Sequence, residues 1–140
     1  MTTQELMQEL ETVWAPRVLR IACIVAAVIF FEHGTQKLFG FPPYAPPKPG
    51  PAMFTLFWFA GVIEVVGGAA LLLGLFTRPV AFIVSGEMAF AYWMGHAPKS
   101  IYPLLNAGDA SILYCFFFLY IACAPVGPWS LDRMLWRKAA

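Results

Sequence analysis

Four runs of apolar residues, each about the length of a membrane crossing, leave this chain few ways to fold. A helical crossing takes about 20 mostly apolar residues. The runs fall at about 17–40, 53–75, 79–94 and 104–124, and they occupy most of the 140 residues. Composition points the same way. Hydrophobic residues make up 60% of the chain and charged residues 12%, against roughly 45–50% and 25% in soluble domains. A water-soluble fold would expose too much apolar surface. The expected fold class is all-α: an integral membrane four-helix bundle with short amphipathic terminal helices and no second domain. The lipid bilayer is its first partner. A net charge of +1 gives no electrostatic case for nucleic acid.

Residues 1–16 read as an amphipathic segment. Thr2 and Glu5 have capping-box spacing, and Leu6, Leu10, Val13 and Trp14 share a face. The segment is expected to lie on the membrane surface or against the bundle, with a break at Pro16. Its acidic start (Glu5, Glu9, Glu11) is unlike a secretory signal peptide. Six prolines in residues 41–51 predict an extended, semi-rigid loop. Residues 125–140 read as a cytoplasmic amphipathic tail, basic towards Lys138. Arg17, Arg20, Arg78, Arg133, Arg137 and Lys138 collect on one side, against Lys37, Lys48 and Lys99 on the other. That imbalance predicts a multi-pass protein with both termini in the cytoplasm. Cys23, Cys115 and Cys123 form no CxxC pair and are expected to be packing residues. The Phe116-Phe117-Phe118 run is expected to face lipid.

Acidic residues inside these runs mark where function is to be sought. They are Glu32, Glu64, Glu87 and Asp109, roughly one per run. A charge near the bilayer centre costs about 2.5–3.5 kcal/mol on insertion scales. Counted from the helix ends, all four fall between the midplane and the outer surface. They are expected to converge on one cavity. Glu32 and Gln36, and His33 and Lys37, are spaced i,i+4, and Asn106 and Asp109 i,i+3. Small residues (Gly61, Gly67 and Gly68 around Glu64, Ser85 and Gly86 before Glu87) allow close helix approach. The acids can also pair with bases simply to lock helices together. Four acids nonetheless outnumber Lys37 and the two histidines, His33 and His96. The excess implies bound protons, a bound cation or water. No tight metal motif such as HExxH occurs, and no metal site is expected.

The same residues resemble the DoxX family of small bacterial four-helix membrane proteins. The resemblance is carried by HGTQKLFG at 33–40, EVVGGAALLLGLFTRP at 64–79, EMAFAYWMGHAP at 87–98, PLLNAGDA at 103–110 and GPWSLD at 127–132. Asp109 stands where the family commonly has Glu. The resemblance implies a bacterial inner-membrane bundle. It also implies links to thiosulfate:quinone oxidoreductase subunits, to oxidative-stress complexes containing superoxide dismutase and a sulfurtransferase, and to quinone-response operons.

Three functions are open at this stage. The leading reading is a redox-associated accessory subunit that binds a quinone or similar small molecule at an intramembrane carboxylate/histidine cluster. In it Glu64 and Glu87 handle protons, Glu32, His33 and Asp109 shape the site, and Gln36, Lys37, His96 and Asn106 orient ligand or acids. The second is a proton-coupled permease for a small solute or metal ion. The third is a scaffold that recruits a soluble redox enzyme through its amphipathic termini; homo-oligomerisation is a further expectation.

Overall fold

A computed structural model describes residues 1–136; Arg137 and Lys138 of the basic tail lie outside the described residues. Among the described residues all regular structure is helical, with no strand. The elements are α1 (Thr3–Glu9), α2 (Ala15–Phe39), α3 (Leu56–Leu73), α4 (Thr77–Ala91), α5 (Pro103–Asn106), α6 (Asp109–Cys123) and α7 (Leu131–Trp136). α2 packs along α3, α3 meets α4, and α4 packs along α6.

The seams between these helices follow a 3-4 residue rhythm. Arg20, Cys23, Ala27, Phe30 and Gly34 are the buried residues of α2. Gly61, Glu64, Gly68 and Leu71 repeat the spacing on α3, and Thr77, Ala81, Val84 and Met88 on α4. Such spacing keeps one stripe of each helix against its neighbour, as in left-handed bundles. The outward faces are no more polar than the seams. Val18, Ile21 and Val25 on α2, Phe82 on α4, and Leu113 and Phe116 on α6 are all exposed. A helix that is apolar all round belongs in lipid. The stretches Thr3–Phe39 and Leu56–Leu73 are each long and apolar enough to cross a bilayer. The protein is therefore read as an all-α membrane helical bundle.

Glycine sets the distance between α2 and α3. A Cβ on Gly34 would stand 2.7 Å from the Val65 backbone nitrogen, and one on Gly68 would stand 2.9 Å from Phe31 Cβ. No side chain fits at either place, so the two backbones touch.

The short end of the bundle is closed by ionic caps. Gly74, at φ 67°, ends α3 with the Schellman pattern, Leu75 N–H donating to Ala70 O at 2.9 Å. Arg20 donates to the Leu71 and Leu72 carbonyls at 2.9 and 2.7 Å and to the Trp129 carbonyl at 3.3 Å. A cation there also complements the α3 dipole. Asp132 accepts from the backbone N–H groups of Phe76 and Thr77, both at 2.7 Å, and so caps the start of α4. Arg78 donates to Ala122 O near the end of α6 at 3.0 Å. Burial of Asp132 works to raise its pKa, but the hydrogen bonds from Thr77 and Phe76 outweigh it and hold the carboxyl below the usual carboxylate range.

Several expectations change. The helix does not break at Pro16: α1 runs into α2 through a π-helical turn over Leu10–Trp14, giving one helical stretch Thr3–Phe39. Pro16 lies in the first turn of α2, and the wider π turn accommodates its missing donor. The fourth apolar run is not one helix. Ala107 takes a left-handed φ of 56° and separates α5 from α6. Phe118 does not face lipid; it is fully buried, its ring 5.4 Å from Phe30 and 5.6 Å from Tyr114. The three cysteines are free thiols.

Candidate functional site

Glu64 and Glu87 lie at one depth. Glu64 is nine residues and Glu87 ten from the end of its helix at the tight turn joining α3 and α4, about 14–15 Å along the axis. Both line one cavity of about 710 Å³ between α2, α3, α4 and α6. That volume falls in the range of small-molecule sites, which are mostly apolar with a few placed polar groups. The walls here are apolar, built from side chains such as Phe30, Phe57, Ile63, Met88 and Tyr114. The polar groups are Glu64, Glu87, Lys37, His33, His96 and Ser111.

These groups differ in how they are held. Glu64 is 2% exposed, and its Oε1 accepts from Lys37 Nζ at 2.5 Å. The Gly34 contact makes this pair: with α2 and α3 in touch, the lysine one turn beyond Gly34 reaches across to Glu64. Glu64 Oε2 is buried without a partner, and so are both oxygens of Glu87. A buried, unsatisfied carboxyl oxygen is costly in an apolar setting. Three such atoms at one cavity point to a ligand, a proton or water as the missing partner. His96 closes one end of the cavity, with Nδ1 2.9 Å from Asn106 O. It sits in a π-helical turn, Tyr92–His96, a distortion often found at functional sites.

The remaining sequence candidates stand elsewhere. Glu32 and Asp109 are exposed and do not line the cavity. Glu32 lies two residues before the inward-facing Gly34, and Asp109 two before the inward-facing Ser111. At about 100° per residue that is the far side of each helix. The four acids therefore do not all converge. Gln36 donates to Pro42 O at 3.2 Å and ties the proline loop to α2. Asn106 is buried, but its amide donates to Ser100 O at 2.8 Å and its oxygen accepts from Gly108 N–H at 2.7 Å. It shapes the α5–α6 break and shares no helix with Asp109. Among the described residues no group of three or more His, Cys, Asp or Glu could hold a metal ion.

Sequence spacing missed Ser111, Tyr114, Met88 and the wall residues on α3. No sequence signal marked them, because these helices are apolar on every face and the 3-4 rhythm of the seams emerges only in the structure.

Comparison with known proteins sets this geometry in a family. The DoxX family profile matches residues 18–97, from α2 to the end of the π-helical turn. An uncharacterized protein of Haemophilus influenzae is 38% identical over 128 residues, covering 89% of this chain and 96% of that protein. No solved structure matches. With more than half of its length in the profile and a relative 38% identical over 89% of it, the chain belongs to the DoxX family.

Proposed function

We propose that the protein is a multi-pass component of the bacterial inner membrane, with both termini cytoplasmic, that binds a quinone or similar lipid-soluble molecule in the cavity between its four helices. The observation that carries this reading is the unpartnered Glu87 carboxyl beside the Lys37–Glu64 pair in an otherwise apolar chamber. Reducing a quinone to its quinol takes up two electrons and two protons. Glu87 and Glu64 exchange the protons with the bound head group, and Lys37 and the histidines orient it. A partner enzyme of oxidoreductase type supplies the electrons, which makes this chain an accessory subunit. The links of the resembled family to quinone and oxidative-stress systems agree with that role.

Topology follows from charge. Arg17, Arg20, Arg78 and Arg133 lie towards the capped end of the bundle, which we assign to the cytoplasm. The cavity then lies towards the outer face.

Equilibrium binding of a short-tailed benzoquinone to the protein in lipid nanodiscs tests the reading. Glu64→Gln and Glu87→Gln should each weaken binding about tenfold or more. Binding of wild-type strength in both single variants and in the double variant would overturn it.

A further inference from the structure

The cavity has a side open to the bilayer. Two of its seams are shut. α2 and α3 touch backbone to backbone at Gly34 and Gly68. α4 and α6 are tied by the Ser85 hydroxyl, which donates to Cys115 O at 2.7 Å. α2 and α6 are bridged by the Phe30 ring, whose centroid is 5.8 Å from that of Tyr114 and 5.4 Å from that of Phe118. The seam between α3 and α4 is different. It closes near the turn, where a Cβ on Gly67 would stand 2.8 Å from Val84 Cγ2. Beyond that contact Ile63, Ala60 and Leu56 on one side, and Glu87, Ala91 and Met94 on the other, line the cavity.

Two glycines of this region are unpacked. Gly86 and Gly95 line the cavity, yet a Cβ built on either meets nothing within 4 Å. The rim carries large, exposed apolar side chains: Phe57 at 61%, Phe90 at 48% and Met94 at 60%. A rim of this kind faces hydrocarbon at no cost, and it would repel an ion or a hydrated solute.

We infer that the α3–α4 gap is a lateral portal, and that the ligand is an amphiphile whose polar head lies at Glu87 and the Lys37–Glu64 pair while its apolar tail passes between Phe57 and Phe90 into the lipid. This rests on the cavity being the binding site, and it narrows the ligand to molecules with a hydrocarbon tail. A hydrophilic solute crossing from one water phase to the other has no use for such an opening.

The test is photolabelling in nanodiscs with a decyl-tailed benzoquinone that carries a diazirine on the tail near the ring, the adducts being located by mass spectrometry. Adducts are expected on Phe57, Phe90 and Met94. Gly86→Trp and Gly95→Trp, which place a large ring in the open space, should cut labelling there at least fivefold. Helical content by circular dichroism tells whether either variant is folded. Adducts confined to outward residues such as Val25 or Phe116, or labelling of the rim unchanged in both folded tryptophan variants, would overturn the portal. Binding of a tail-free benzoquinone is measured alongside. If it binds and the rim is unlabelled, the portal alone fails; if neither compound binds, the cavity reading fails and the portal with it.

Discussion

Removing the lysine of the Lys37–Glu64 pair should cost far more than removing the glutamate. The two partners differ in burial: the Lys37 side chain is 26% exposed and that of Glu64 3%. Lys37→Met strips the Glu64 carboxyl of its one hydrogen bond among the described residues, leaving both oxygens buried and bare. Leaving one member of a buried pair uncompensated costs about 3–5 kcal/mol. Glu64→Met leaves an ammonium on a flexible stem that can move its head towards the water–lipid boundary, so its cost should stay near 1 kcal/mol. The double variant Lys37→Met/Glu64→Met replaces the pair with two apolar side chains of similar size, and such swaps are often neutral. It should return to within about 1 kcal/mol of the wild type. Unfolding in mixed micelles titrated with sodium dodecyl sulfate, followed by tryptophan fluorescence, reads all four proteins. A loss below about 1 kcal/mol in Lys37→Met would refute the reasoning. So would a double variant as unstable as that single one.

Further expectations concern packing, pH and the caps. Gly34→Ala should destabilise by about 1–3 kcal/mol because its Cβ meets backbone. Gly86→Ala, with open space around it, should stabilise by up to about 1 kcal/mol; the same detergent titration separates them. For Asp132 the sign is set by a folded-state pKa below the unfolded one. Its contribution is full above about pH 4 and drains away as pH falls through the folded value. Asp132→Ala should cost about 1–3 kcal/mol at pH 7 and flatten the acid limb of a thermal-stability profile. A pH profile parallel to the wild type would show that the cap is not charged. Arg20→Met removes the donor to three carbonyls and should lose more than about 2 kcal/mol in the same melts.

The apolar runs, the proline loop and the shared depth of Glu64 and Glu87 were legible in the residues because bilayer length and buried charge are properties of composition and position. The azimuth of each side chain was not, because the runs are apolar all round and carry little amphipathic signal. Glu32 shows the consequence. Its depth suited the cavity, but Phe30 and Gly34 turn inward and carry it outward. The roles of Arg20 and Asp132 were hidden for another reason. Each serves a helix end far away in sequence, Arg20 at Leu71 and Asp132 at Thr77, and nothing local announces such a partner. GPWSLD, met first as part of a resemblance, acquires a physical role: Trp129 offers a carbonyl to Arg20, and Asp132 caps α4. The Pro16 region misled because proline usually ends a helix, and a π-helical turn removes that conflict without breaking it.

Infrared difference spectroscopy of carboxyl groups, recorded as a short-tailed quinone binds in nanodiscs, bears most directly on whether Glu64 and Glu87 share one ligand. Binding should produce a carboxyl band that is lost in Glu87→Gln, altered in Glu64→Gln, and untouched in Glu32→Gln and Asp109→Asn. A band that survives Glu87→Gln, or that vanishes with Glu32 or Asp109 instead, would contradict the account.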